Sequence, residues 1–431
     1  MCAQLRSDIL SEGRLNGALE NSRSEILQLL CDSVRVTSLS GHEGTFIQFV
    51  RNWAKEQGFE TDLWETTDTQ LASYSEASQN HISLKDRPTL VVRLPGCKQG
   101  RSLVFNAHAD VVGVGEEKNW SVNPWGGQYR SGRIYGRGAC DAKGPLVGAL
   151  WAMLLVRQTL QGQLAGDILL ELVPGEEDCV GIGTLTSIVR GYKADAAIVL
   201  EPTDNLPRCA SRSGVRFEIV CYGKASHGTA KWLGKDAIAM IRHILDTLEA
   251  LENRWSKGVA EPLFAEYPVV RPITVDYIHG GQWQGMVCDK CLCAGYLELL
   301  PDDDINKWKS CFTEAVQAGR NDIVVSFKEE YSGHRTPTDA PFCVIAEDVI
   351  KKIAEGEKAA QLNWKGWTGF NSGCEAGVRA NLHGTPTLVW GPGNLAQAHA
   401  ADEFINFQDI EVFAKLMTHL AAAWSGTAKE T

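Results

Sequence analysis

Apolar residues recur at helical spacing near the start of the chain (Ile26, Leu29 and Leu30, then Phe46, Val50 and Trp53), which predicts two helices over about residues 22–57. A polar stretch at about 65–87, containing TTDTQLASYSEASQNHISLKDR, reads as a surface loop or insertion. Short β-rich runs follow: PTLVVRL, SLVFNAHADVV, DILLELV and AAIVLE. Between them GPLVGALWAMLLVRQTL is apolar on all sides, as a buried helix must be. Strands alternating with helices predict a mostly parallel sheet covered on both faces. The pattern changes near residue 213. VRFEIVCYG alternates like a half-buried strand, KDAIAMIRHILDTLEALENRW is amphipathic, and CLCAGYLELLP is again a strand. With DINKWKSCFTEAVQA and DIVVSFKEE this gives a β-α-β-β-α-β order, the pattern of a ferredoxin-like unit. The chain then returns through the helix FCVIAEDVIKKIAEG, the strand TPTLVWG and a last helix at about 409–424. The fold class expected is therefore α/β. A mixed, mostly parallel sheet domain covered by helices (1–212 and 330–431) would carry a smaller α+β insert (213–329).

Composition narrows the classes of function. At 431 residues two domains are expected. A net charge of -11 opposes a nucleic-acid surface, which needs a basic face, and opposes attachment to anionic membranes. The polar beginning, MCAQLRSDILSEGRLNGALENS, contains no apolar stretch resembling a signal peptide. The 13 cysteines lack regular spacing and read as reduced, mostly buried thiols, so a cytoplasmic location is expected. Cys288, Cys291 and Cys293 form C-x2-C-x-C without an evident fourth ligand, and alternating strand positions explain them better than a structural zinc.

Five candidate metal ligands stand in separate motifs: His108 in NAHADVV, Asp141 in GRGACDAKG, Glu177 in PGEED, Glu201 in LEPTD and His399 in AQAHAADEF. Two imidazoles and three carboxylates suit a pair of divalent ions if one carboxylate bridges them. Each motif alone has a plainer reading. His108 and Asp110 share one face of a strand end, where the carboxylate can hold the histidine tautomer or merely cap a turn. Asp141 could be a helix N-cap. A phosphate loop is another option there, but neither the dinucleotide nor the Walker glycine spacing is met. Glu176 and Glu177 could be a solvated loop, or could supply one ligand and one proton carrier. Glu201 ends a strand where α/β sites gather. His399, alone, would be structural. The ordered set is what points to a dinuclear hydrolase.

That set resembles the metallopeptidase family of acetylornithine deacetylase, succinyl-diaminopimelate desuccinylase, aminoacylase and glutamate carboxypeptidase, over about residues 26–424. The resemblance implies that His108 and Glu201 bind one metal, Glu177 and His399 the other, and that Asp141 bridges them. Asp110 would orient His108, and Glu176 would be the general base for a metal-activated bridging water. The metals implied are zinc, with cobalt as the alternative. The Asp141–Ala142 peptide bond would be cis. The ASHG segment places His227 where the family has a histidine that crosses a dimer to stabilise the oxyanion in the neighbouring site. The insert would then act as lid and dimerisation domain of a homodimer.

The activity implied is hydrolysis of an amide in a small N-acyl amine or N-acyl amino acid, most like an acetylornithine deacetylase. One departure shifts the substrate. Many relatives carry an arginine three residues before the proline of a pattern like DIRLLPG; here GYLELLP has Glu298. A carboxylate cannot replace that clamp, so dicarboxylate substrates lose support unless Arg271, Arg335 or Arg379 binds an anion. As an ordinary strand residue, Glu298 would face solvent. A formylaminopyrimidine-type deformylase is the main alternative, followed by an aminopeptidase or dipeptidase, and then by a catalytically silent binding protein. Trp364, Trp367 and Phe370 could line an acyl pocket or pack in the core.

Overall fold

The computed structural model describes residues 11–74, 82–97, 99–160, 162–354 and 362–427. Two sheets dominate it. The larger has nine strands. Its centre is four parallel strands, Ile168–Val173, Leu103–His108, Ala196–Val199 and Thr387–Val389, with antiparallel strands toward both edges. All four are buried along their whole length because both faces are covered. The fold class is the mixed, mostly parallel α/β arrangement that the pattern predicts.

Helix Gly144–Leu160 is buried almost throughout, between Glu12–Arg35 and Phe407–Ser425. With the preceding turn, the stretch Ala139–Leu160 is long and apolar enough to span a membrane, yet its most apolar window lies wholly inside the protein core. Trp151 anchors it, stacking on Phe407 and donating its indole N–H to Ser22 Oγ at 2.8 Å. The first helix begins earlier than periodicity from residue 22 suggests. Leu15 and Leu19 extend the buried stripe of Ile26 and Leu30 by two turns, although polar residues surround them. Of the polar stretch at about 65–87, residues 68–71 form one helical turn, and residues 75–81 lie outside the described residues.

The second sheet has four antiparallel strands in the order Ile273–Gly280, Lys290–Leu299, Ser213–Tyr222, Ile323–Tyr331. Helices Ala237–Ser256 and Ile305–Gln317 cover one face, burying Phe217, Ile219, Cys221, Cys291, Cys293 and Leu297. Cys288, Cys291 and Cys293 are thus apolar core residues. The described cysteines are all free thiols. Strand Ile273–Gly280 is an edge and largely exposed.

Candidate metal centre and active site

The four central strands run in one direction, so their carboxyl ends converge. His108 is the last residue of Leu103–His108 and pairs in register with Val173, just before Pro174–Glu177. Ala196–Val199 pairs on the other side of Leu103–His108 and delivers Glu201 two residues beyond its end. Thr387–Val389 leads into the loop that carries His399. Asp141 enters from a turn, Ala139–Lys143, ahead of the buried helix. The Asp141–Ala142 bond is cis, as expected.

These residues form overlapping groups. The donor atoms of His108, Asp141 and Glu201 all lie within 4.8 Å of one another, as do those of Asp141, Glu177 and His399. Asp141 is common to both. His108 Nε2 is 3.0 Å from Asp141 Oδ1, and His399 Nε2 is 3.7 Å from Asp141 Oδ2 and 3.1 Å from Glu177 Oε2. The carboxylate of Asp141 therefore faces two imidazoles and caps no helix. His399 adopts a left-handed backbone, φ 60°, which side-chain-bearing residues reach only at some cost. Glu176 joins a third group, with His108 and Glu177. A cleft of about 240 Å³ opens onto Asp141, Glu176, Glu177, Glu201 and His399, with Phe370, Ser372 and Gly373 in its wall.

Asp110 touches His108 through its main-chain oxygen and the glutamate loop through its side chain. His108 Nδ1 is 2.9 Å from the Asp110 main-chain oxygen, a contact that as N–H donation would present Nε2 to the cluster, while the Asp110 carboxylate stands 3.7 Å away. That carboxylate instead accepts the N–H groups of Gly175 (3.1 Å), Glu176 (3.1 Å) and Glu177 (3.0 Å), and the Ser40 hydroxyl (2.9 Å). One side chain thus fixes the loop bearing both glutamates.

The charges are out of balance. Burial and the neighbouring carboxylates push Glu176 and Glu201 well above the ordinary carboxylate range, and burial raises Glu177. Burial alone would lower His108, but the nearby carboxylates of Asp110 and Asp141, with those of Glu176 and Glu201, outweigh it and raise it well above the ordinary histidine value. Four carboxylates, those of Asp141, Glu176, Glu177 and Glu201, converge with the imidazoles of His108 and His399, and this all-oxygen and nitrogen donor set fits divalent ions of hard to borderline character.

Several supports were not legible in the motifs. Glu403 is fully buried and accepts the N–H groups of Gly138, Cys140 and Asp141 while pairing with Arg137 at 2.7 Å, fixing the Asp141 turn. Glu43 and Arg87 form a buried pair behind the glutamate loop, with Arg87 also reaching Asp178 at 3.1 Å. At Gly175, φ 81°, a Cβ would come within 3.1 Å of the Arg87 guanidinium, so only glycine lets the loop lie on that pair. The signal for Glu403 was present in AHAADEF, but nothing local ties it to Arg137.

His227 is not among the residues lining the cleft. It is exposed, and its ring Nδ1 contacts Thr229 Oγ1 at 2.8 Å within its own turn. Glu298 does not face solvent freely. Its Oε1 accepts the Tyr331 hydroxyl at 2.6 Å, and its Oε2 is sealed off without a hydrogen bond. The reason is that its strand end lies against Gly214 at the junction of the two sheets. Of the aromatic trio, Phe370 reaches the cleft wall, whereas Trp364 and Trp367 pack on each other and on the core.

A convergent acidic site of this kind, at the carboxyl ends of parallel strands, is that of a metal-dependent hydrolase. The family model described as peptidase family M20/M25/M40 matches residues 104–423, and the chain belongs to that family. It is 24% identical over 413 residues to an N-formyl-4-amino-5-aminomethyl-2-methylpyrimidine deformylase of Halalkalibacterium halodurans, covering 88% of each chain. It is 25% identical over 397 residues to an acetylornithine deacetylase of Photorhabdus laumondii, covering 90% of this chain and 93% of the other. Among solved structures it is similar to an M20 family metallo-carboxypeptidase, Sso-CP2, from Sulfolobus solfataricus. That match has a TM-score of 0.72 at 17% identity and covers 93% of this chain and 99% of the other.

Proposed function

We propose that the protein hydrolyses the amide bond of a small N-acyl amine or N-acyl amino acid. The observation that carries this reading is Asp141, shared by two donor groups, with Glu176 beside them. His108 and Glu201 would hold one divalent ion, Glu177 and His399 the other, and Asp141 would join both sites; zinc is the first candidate and cobalt the second. When bound, such ions polarise the scissile carbonyl and make a water acidic enough to attack it near neutral pH. Glu176 accepts the proton of that water and returns it to the departing nitrogen as the amine leaves. Asp110 holds the Glu176–Glu177 loop by its N–H groups and sets the His108 tautomer through its own carbonyl.

The residue range 213–329 is proposed as an inserted lid and dimerisation domain, with His227 reaching the cleft of a second copy. The support is its position. His227 is exposed, outside the cleft of its own chain, and near the exposed Trp232 (76%) and Trp283 (80%). A cytoplasmic location is proposed because the described cysteines are free. A second reading, a deformylase acting on an N-formyl aminomethylpyrimidine, is favoured by Glu298 in place of an arginine and by the Halalkalibacterium relative.

The test is a panel of N-acetyl, N-formyl and N-succinyl compounds and dipeptides, offered to zinc- and cobalt-loaded protein beside Glu176→Ala. Two bound metals per chain and turnover lost in the variant are expected. A protein that binds no metal, or a variant as active as the parent, overturns the mechanism.

A further inference from the structure

We infer that the cleft selects N-acyl amines without a carboxylate, neutral or cationic in the leaving amine, over N-acyl amino acids. This rests on the amide-hydrolase reading above. The argument begins with the cations around the site, each of which is already engaged among the described residues. Arg87 is held by Glu43 and Asp178, and Arg137 by Glu403. Lys143 Nζ points away from the cleft and donates to the carbonyls of Ser33 and Val36 at 3.1 and 2.7 Å.

Arg212 lies just behind the cleft wall, its backbone N–H bonded to the Ser372 carbonyl. Its guanidinium is fully buried and fixed by Asn371 Oδ1 at 2.9 and 2.7 Å and by the Val270 carbonyl. The three arginines that could have served a substrate anion are occupied as well. Arg271 grips Asp303 at 2.7 and 2.8 Å, Arg335 spans Asp302 and Glu261, and Arg379 is buried on Glu171. Releasing any of them would leave a carboxylate unpaired, most costly where the pair is buried.

The opposite charge is in surplus. The cleft is lined by the carboxylates of Asp141, Glu176, Glu177 and Glu201, so a substrate carboxylate would enter beside acidic groups. Glu298, on the second sheet, offsets the charge of Arg212. It holds the Tyr331 hydroxyl, and the Tyr331 ring lies so close to Gly373 of the cleft wall that a Cβ there would overlap it. Its second oxygen is a buried acceptor with no donor. Among the described residues, a substrate carboxylate entering here meets no cation free of a partner and a lining of carboxylates, whereas an ammonium or an amino-heterocycle meets a favourable lining.

N-acetylputrescine and Nα-acetylornithine form the cleanest pair, since they differ only by the carboxylate. With the zinc-loaded full chain, kcat/KM is expected to favour N-acetylputrescine by at least roughly tenfold, the worth of one charge-assisted hydrogen bond. In Glu298→Gln, which keeps an acceptor for Tyr331 but removes the charge, the ratio should fall severalfold with metal content unchanged. Equal or better use of the ornithine compound overturns the inference, and an unchanged ratio in Glu298→Gln removes that residue from it. If neither compound is cleaved, calorimetric binding of putrescine and ornithine to the loaded protein reads the charge preference independently. Tighter putrescine would then keep the inference while the choice of acyl group fails, and ornithine binding as tightly as putrescine would overturn it.

Discussion

Asp110 and His227 make the most instructive pair of regions in this molecule. Both are expected to serve catalysis, one on the rim of the large sheet and one on a loop of the small sheet. Asp110 is buried and accepts four hydrogen bonds, three of them from the backbone of the glutamate loop. His227 is exposed, and its ring hydrogen-bonds within its own turn, to Thr229. The rim is preorganised within one chain. The small sheet presents its histidine to solvent. Preorganised donors act without rearrangement, whereas a group supplied from outside makes activity depend on association.

Perturbing the rim should have the largest effect. Glu176→Ala should lower kcat by about 10³-fold while leaving both metals bound, measured by steady-state kinetics and metal analysis. Retained activity would mean that another group carries the proton. For the other region, His227→Ala should cost about 10²-fold in kcat, in the range of a lost oxyanion donor. In the proposed homodimer, mixing the impaired His227→Ala with the impaired Glu176→Ala should restore activity, because one of the two sites then keeps both residues. No recovery despite demonstrated mixing would place His227 outside the neighbouring cleft.

Asp110→Asn should cost roughly 10–100-fold in metal affinity or activity, read by competition with a chelator. Its loss should also speed amide exchange at Gly175, Glu176 and Glu177, a signature that a simple ligand change would not give.

The smallest effect is on stability against pH. Burial pushes Glu298 up to about 7 from its ordinary 4.5. A carboxyl raised in the folded state stabilises the protein fully below the unfolded value and loses that contribution as pH rises toward the folded one. Stability of the metal-free protein should therefore decline between about 4.5 and 7. Glu298→Gln should flatten that slope in chemical denaturation; an unaltered slope would show that the carboxyl is not buried in solution.

Much of this was legible in advance. The strand and helix runs were readable because burial on two faces leaves an unmistakably apolar sequence, and the donor set because His and Glu at strand ends follow recognisable spacing. The supports were less so. Arg137 and Glu403 are 266 positions apart, and Glu43 and Arg87 are 44 apart, yet each pair is enclosed. A charged residue in a polar-looking loop carries no mark of the partner that will bury it. The same holds for Leu15 and Leu19, whose polar neighbours concealed a helix made stable by the core it covers.

By itself, the sequence determined the α/β class, the order of the elements and the chemical types available for a metal centre. These depend on local periodicity and on residue identity. Only the tertiary structure decided that Asp141 stands between two donor groups, that Asp110 meets His108 through its main chain and the glutamate loop through its side chain, and that the arginines are already paired. Those facts depend on distances between segments far apart in the chain, which come into being only when the sheet brings its strand ends together.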